Sequence, residues 1–290
     1  MRPKFIWQLR SRTLALGERT LIMGVVNVTP DSFSDGGQFF DPERAVAHAL
    51  KLLAEGADIL DVGGESTRPG RKPIVSAEEE RRRVLPVIEG ILRQASAAII
   101  SVDTYHASTA EVALTVGAEI VNDVSGFTWD VQMLSFLAEN KCGCVLMHTR
   151  GRPEEWRNLP PLCQDEVLPL VARDLRRLSA QARAAGIAGK RLVLDPGFGF
   201  GKRYEENYPL LAGLRQFHQL GFPLMAGTSR KSFLAKTSAS HSQAEEIERL
   251  SGTLATVTAS VLQGVHLVRV HDAGAAAATV RVADMILAAS

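Results

Sequence analysis

One stretch sets an acid, a proline, three alternating glycines and a lysine in a row: LVLDPGFGFGK, residues 192–202. Two nucleotide-binding chemistries use such glycines, and both fail here. A phosphate loop needs G-x-x-x-x-G-K-[ST], so that backbone N–H groups cradle phosphate and a hydroxyl holds magnesium. Pro196 stands where the first glycine belongs, and Arg203 follows Lys202 where the hydroxyl belongs. The dinucleotide pattern G-x-G-x-x-G fails on spacing, because the glycines are Gly197, Gly199 and Gly201. What remains is a carboxylate, Asp195, ending a short apolar run before a bare, flexible backbone.

That arrangement recurs along the chain. Apolar runs finish in Asn27, Asp61, Asp103, Asn122 with Asp123, His148, Asp195 and Ser229, and the last in Arg269 with His271 and Asp272. One such residue is routinely a structural hydrogen-bonder, since burying it unpaired is costly. A ring of them at strand ends is where a barrel of parallel strands places its active site.

The runs are the elements that must carry those residues. They are RTLIMGVVNV (19–28), ADILDVGG (57–64), AAIISVDT (97–104), AEIVNDVSG (118–126), CGCVLMHT (142–149), RLVLDPG (191–197), FPLMAGTS (222–229) and HLVRVHD (266–272). Each is nearly continuously apolar, as parallel strands buried on both faces are. Amphipathic helical patterns separate them. PERAVAHALKLLAEG (42–56) puts Val46, Leu50 and Leu53 on one stripe and reaches glycine at its stop position; residues 166–186 and 245–264 also end in glycine. Eight strands alternating with helices predict a (β/α)8 TIM barrel over residues 19–290. Residues 1–18 form a short N-terminal extension, a hairpin or lid over the barrel's N-terminal end. A doubly wound sheet is the alternative, but its glycine fingerprint is missing after the first run.

Composition narrows the partners. A net charge of +1 gives no bulk attraction to nucleic acid or an anionic membrane, and 6% aromatic residues argue against base stacking. No apolar run is long enough to span a bilayer, and the first residues, MRPKFIWQLRSR, lack the apolar core of a secretion signal. The expected location is cytoplasmic. Cys142 and Cys144 lie two apart on one strand face and read as small buried residues rather than a metal or redox pair.

Eight segments, in order, resemble the dihydropteroate synthase family: MGVVNVTPDSFSDGG (23–37), GGESTRPG (63–70), SVDT (101–104), VNDVSG (121–126), LMHTRG (146–151), LDPGFGFGK (194–202), GTSRKSF (227–233) and RVHD (269–272). The resemblance spans the barrel. It implies a folate-pathway transferase that condenses 6-hydroxymethyl-7,8-dihydropterin pyrophosphate with p-aminobenzoate, giving 7,8-dihydropteroate and pyrophosphate.

The resemblance also implies roles. Asp103, Asn122 and Asp195 read the pterin edge, with Lys231 donating to its acceptors and Met147 as an apolar wall. Asp103, Asp195, Lys231, Arg269 and His271 form the catalytic set. Asp103, ahead of Thr104, has helix capping as its structural alternative. Arg269 and His271, two apart and so on one face, take pyrophosphate with Ser66 and Arg68; arginine suits this through its bidentate fork. Asn27 holds Mg²⁺, which accepts few protein ligands and keeps waters. Phe33, Thr67, Arg68 and Pro69 surround p-aminobenzoate, with Phe200, Ser229 and Lys231 on the far wall. Ser229 and the following helix start receive its carboxylate. Arg230 braces that helix start. Sulfonamides, which mimic p-aminobenzoate, are expected to inhibit, and a homodimer is expected. His218 and His241 are expected to face solvent, and EEERRR (78–83) to be a solvated helix start. Two rivals remain open: a pterin-binding methyltransferase barrel, which has no need of the R-x-H pair, and a non-catalytic pterin binder.

Overall fold

The computed structural model describes residues 2–29, 41–65, 75–234 and 243–290. It opens with an antiparallel hairpin, β1 (Phe5–Gln8) and β2 (Thr13–Leu16). Eight strands follow: β3 (Leu21–Asn27), β4 (Ile59–Gly63), β5 (Ile100–Asp103), β6 (Ile120–Asp123), β7 (Gly143–Met147), β8 (Leu192–Asp195), β9 (Met225–Ala226) and β10 (Leu267–Val270). They pair in parallel in the order β8-β7-β6-β5-β4-β3-β10-β9. A parallel bridge from Leu194 to Leu224, with Leu194 N–H donating to Pro223 O at 2.9 Å, joins β8 back to the start of β9. The sheet is a (β/α)8 TIM barrel.

Alternation along each strand sorts side chains between two cores. One parity packs outward beneath the helices, as with Ile22, Leu60, Val102, Val121, Leu146, Leu194 and Val268. The other points inward: Met23, Ile59, Ile120, Val145, Val193, Met225 and Leu267 fill the lower barrel. Trp7, Leu9 and Leu16 of the hairpin region belong to that same inner cluster, so the N-terminal hairpin stoppers the lower end. Trp7 is fully buried and its indole N–H donates to Arg191 O at 2.8 Å. Two residues further along the inward parity the side chains become Asp61, Asn122, Met147, Asp195 and Arg269, with Asp103 two beyond Ser101 on β5 and Asn27 four beyond Met23 on β3. The lower lumen is therefore apolar and the upper lumen polar.

The helices are α1 (Pro42–Ala54), α2 (Ala77–Gln94), α3 (Ala107–Val116), α4 (Met133–Glu139), α5 (Gln164–Ala184), α6 (Asn207–Ala212), α7 (Gln243–Leu262) and α8 (Ala273–Ala289). Asp41 caps α1 by accepting from Glu43 N–H at 2.9 Å, with Pro42 in the first turn. The stripe of α1 that is deepest is Ala45, Val46, Ala49 and Leu52, one position off the expected Leu50 and Leu53, which pack only at its margin. Small residues face the barrel because the helix lies close against it.

Two surface expectations are corrected. His218 does not face solvent: its Nε2 meets Gln263 O at 3.2 Å and its ring meets His266 edge-on at 5.7 Å. In the EEERRR run, Glu79 pairs with Arg82 and Arg83 at the surface, but Glu80 is buried and accepts from Thr104 Oγ1 at 2.7 Å. His241 lies outside the described residues.

Candidate active site

At the mouth, four side chains from four strands form one network. Arg269 on β10 donates from Nε to Asp61 Oδ2 at 2.6 Å and from Nη2 to Asp103 Oδ2 at 2.7 Å. Asn122 on β6 donates to the same Asp61 oxygen at 2.9 Å. Asp61 is fully buried, and its Oδ1 has no partner. One guanidinium thus serves two carboxylates. Burial is the largest effect on Asp103 and pushes its carboxyl up to about 7; Arg269 opposes this and Asp61 adds to it. The same two acids hold the Arg269 guanidinium well above its ordinary value despite burial. Asp103 is not a helix cap, since the first turn of α3 donates instead to Asp130, through Ala107 N–H at 2.8 Å.

Asp195 ends β8, 3% exposed, and Gly197 N–H donates to its Oδ1 at 2.7 Å. Burial raises its proton affinity against the pull of Lys231, Arg269 and Lys202. The chain then turns sharply through three glycines of positive φ. At Gly197 (φ 69°) a Cβ would collide with His148 O, so only glycine fits. The turn delivers Phe200 to the cleft, where Lys231 Nζ sits 4.0 Å from the ring centroid and Trp156 meets it edge-on at 5.3 Å. Met147, Tyr105 and Val124 complete an apolar lip with Phe200 and Trp156.

The segments after β9 and β10 clasp each other twice. His271 N–H donates to Ser229 Oγ at 3.2 Å, and His271 Nδ1 lies 3.0 Å from the same hydroxyl. Arg230, in the left-handed region at φ 56°, donates to Asp272 from Nε at 3.0 Å and Nη2 at 2.5 Å. Its N–H is held by Thr253 Oγ1 at 3.0 Å. Ser229 is thus engaged with His271 at the edge of the cleft. Ser229 lines the cleft together with Ser232, which stands at the helical turn and which the sequence reading did not name.

A cleft of about 1250 Å³ collects these parts; Asn27, Asp103, Phe200, Ser229, Lys231, Arg269 and His271 line it. Asn122, Asp195 and Met147 lie beneath it in the upper lumen. Among the described residues no cluster of three His, Cys, Asp or Glu forms a metal cage. Phe33, Ser66, Thr67, Arg68 and Pro69 lie outside the described residues. Two further residues escaped the sequence reading: Asp61, seen at a strand end but given no role, and Lys202.

The polar ring is also smaller than the strand ends implied. Asp123 and His148 have the outward parity and leave the lumen. His148 Nε2 faces Asp174 Oδ2 on α5 at 3.3 Å, and burial lowers its proton affinity to about 4. Asp123 accepts from Ser125 N–H at 2.6 Å, its Oδ2 is unpartnered, and burial pushes its carboxyl up to about 7. The folded value lies well above the ordinary carboxylate value of 3.8, so the folded state keeps a proton that the unfolded chain releases. Stability from this group is full below that value and is lost as pH rises through about 7. Asp123→Asn should gain about 1 kcal/mol or more on the wild type between pH 5 and pH 8. Thermal melts of both across that range check this, and a difference that shrinks with rising pH would contradict it. Taking the difference removes the opposite slopes of His148 and His266.

The family model described as pterin binding enzyme matches residues 23–271. The chain belongs to the pterin-binding enzyme family. Within the family it is 41% identical to the dihydropteroate synthase of Clostridium beijerinckii over 281 residues, covering 97% of this chain and 99% of the relative. The solved Xanthomonas albilineans dihydropteroate synthase with 4-aminobenzoic acid superposes with a TM-score of 0.86 at 40% identity, covering 99% of both chains. The Yersinia pestis dihydropteroate synthase solved with a sulfonamide drug gives 0.86 at 35% identity, covering 98% of this chain and all of the other. The matched span runs from inside β3 to His271, so it contains Asn27, Asp61, Asp103, Asn122, Asp195, Lys231, Arg269 and His271.

Proposed function

We propose that this barrel is a dihydropteroate synthase, a transferase joining 6-hydroxymethyl-7,8-dihydropterin pyrophosphate to p-aminobenzoate with release of pyrophosphate. The observation that carries the reading is Arg269 held between Asp61 and Asp103 beside Asn122 and Asp195. Acceptors for a pterin's N–H groups lie next to a cation for its diphosphate. The roles follow by exchange. A pterin that donates to Asp103 takes over the acceptor that Arg269 Nη2 now uses, and the guanidinium is released toward the phosphates. His271, oriented by Ser229, adds an N–H donor on the same side. Asp103 and Asp195 stabilise positive charge that grows on the pterin as the carbon–oxygen bond breaks. Lys231 and Phe200 form the wall against which p-aminobenzoate stacks, and Ser232 with the adjoining backbone meets its carboxylate. Sulfonamides compete for that wall.

Asn27 ends β3 at the cleft and offers one amide oxygen, a donor suited to a hard cation that completes its shell with phosphate and water. On that fit Asn27 holds Mg²⁺, which would neutralise diphosphate charge when bound. The helices include none long and apolar enough to cross a membrane, among the described residues; we place the enzyme in the cytoplasm. Val282, Met285 and Ile286 are half or more exposed on α8, and Ile247 on α7, which supports a homodimer through these helices.

The test is pyrophosphate release from dihydropterin pyrophosphate and Mg²⁺, with and without p-aminobenzoate. Release coupled to dihydropteroate formation is expected, and sulfonamide should compete with p-aminobenzoate. Pterin binding without release would move the reading to a methyl-transferring or purely binding relative. Slow release without the amine would show that the bond breaks before attack; a strict need for the amine would show the reverse.

A further inference from the structure

Lys202 closes the glycine turn and has no part in the chemistry above. It is 6% exposed, and its ammonium donates to Gly197 O at 2.6 Å and Phe200 O at 3.3 Å. Among the described residues no carboxylate pairs with it, so a charge is buried on carbonyls of its own turn, an arrangement that is costly unless it fixes something. The rest of the turn is held piecewise. Gly199 N–H donates to Asn207 Oδ1 at 2.7 Å, and Arg150 Nη1 donates to Gly201 O at 3.0 Å. Phe200 N–H donates to Gly197 O at 3.2 Å, and Lys202 reinforces that link by binding the carbonyls of both residues. Gly197 is also the residue whose N–H holds Asp195, and Phe200 is the one under Lys231.

We infer that Lys202 is a positioning residue that sets the distance between the pterin-reading acid Asp195 and the p-aminobenzoate wall at Phe200. The inference rests on the functional reading above. Lys202 stands at the edge of the cleft and acts through the backbone of the turn.

The charge on Lys202 is adjustable. Burial lowers its proton affinity to about 7; Asp195 from β8 and Glu206 from the start of α6 raise it, while Arg150 after β7 and Lys231 after β9 lower it. Protonated, Lys202 makes charge-assisted bonds to both carbonyls; as pH rises through about 7 these weaken. The KM for p-aminobenzoate should then rise from pH 6 to pH 8.5.

Lys202→Met keeps the side chain's length and removes its donors. Its KM for p-aminobenzoate should be raised ~10-fold at pH 6.5, with kcat changed less, because misplacement of a wall costs binding of the partner that stacks on it. That KM should also be flat with pH, unlike the wild type. Lys202→Gln, which retains an N–H₂ donor, should recover part of the loss. Thermal melts identify any variant that is merely unfolded, and Lys202→Gln then carries the comparison. Unchanged KM values, or KM values that keep the wild-type pH slope in Lys202→Met, would overturn the inference while leaving an active synthase. An unsubstituted enzyme that makes no dihydropteroate would overturn the functional reading and this inference with it.

Discussion

Replacing Arg269 with methionine lowers kcat/KM by at least ~10³-fold and destabilises the barrel by about 3 kcal/mol at pH 7. The two losses have separate origins. Activity falls because the fork that receives diphosphate is gone. Stability falls because Asp61, fully buried, and Asp103, 14% exposed, lose their shared cation. Removing one partner of a buried pair generally costs 3–5 kcal/mol; the lower end applies here because Arg269 is 20% exposed and Asp103 already holds its proton to about 7. The stability deficit should therefore shrink as pH falls and the acids take protons. Adding Asp61→Asn to Arg269→Met should restore much of the stability and none of the activity. Steady-state kinetics and denaturant melts at pH 5.5 and 7.5 read both effects. A single variant as stable as the wild type at pH 7.5 would show that the guanidinium does not neutralise the two acids.

Asp195→Asn separates the same two properties in the other direction. Its kcat/KM should drop about 10²–10³-fold with the melting temperature nearly unchanged. Asparagine's oxygen can still accept from Gly197 N–H, the bond that now fixes Asp195 Oδ1 at 2.7 Å. The turn after β8 keeps its anchor. The other oxygen lies on the side of Gly227, whose missing side chain leaves it room at the cleft floor. There the substitution replaces an acceptor with an N–H₂ group that meets a pterin donor head-on. A site built to satisfy a buried polar edge penalises such a mismatch heavily. The loss should appear in the pterin's binding and in kcat, with p-aminobenzoate's KM moved less. Retention of activity within about threefold would remove Asp195 from the pterin site.

Much of this architecture was legible because both faces of a parallel strand are buried. The eight apolar runs stand out for that reason, and their polar ends mark the mouth. The run FPLMAGTS nevertheless shrinks to a two-residue β9, since composition does not reveal how many ladder bonds a strand makes. Inward and outward assignment was the larger omission. Asn122 and Asp123 are neighbours, yet one faces Asp61 and the other Ser125. The signal was available for Asp61: it stands two residues from Ile59, which shares the inner apolar cluster, so alternation places it in the lumen. Lys202 could not be found that way, because its position follows from three alternating positive-φ glycines rather than from a repeat of strand and helix. Conversely, the helix starts at Asp41 and Ser76 are locally encoded, because a short side-chain oxygen placed just before a helix satisfies its first N–H groups.

The join between β8 and β9 rests on the Leu194–Leu224 bridge and one bond to Pro223 O, where other neighbouring strands share ladders. Asp195 stands on one side of that join, and Ser229, Lys231 and Ser232 follow from the other. On the proposed assignment of the site, the two substrates meet across the barrel's thinnest seam. Every contact that a bound pterin or aminobenzoate makes to both sides stitches the last stave into place. Substrate occupancy and completion of the barrel wall then become parts of one equilibrium, and the catalytic pocket serves as the clasp of its own scaffold.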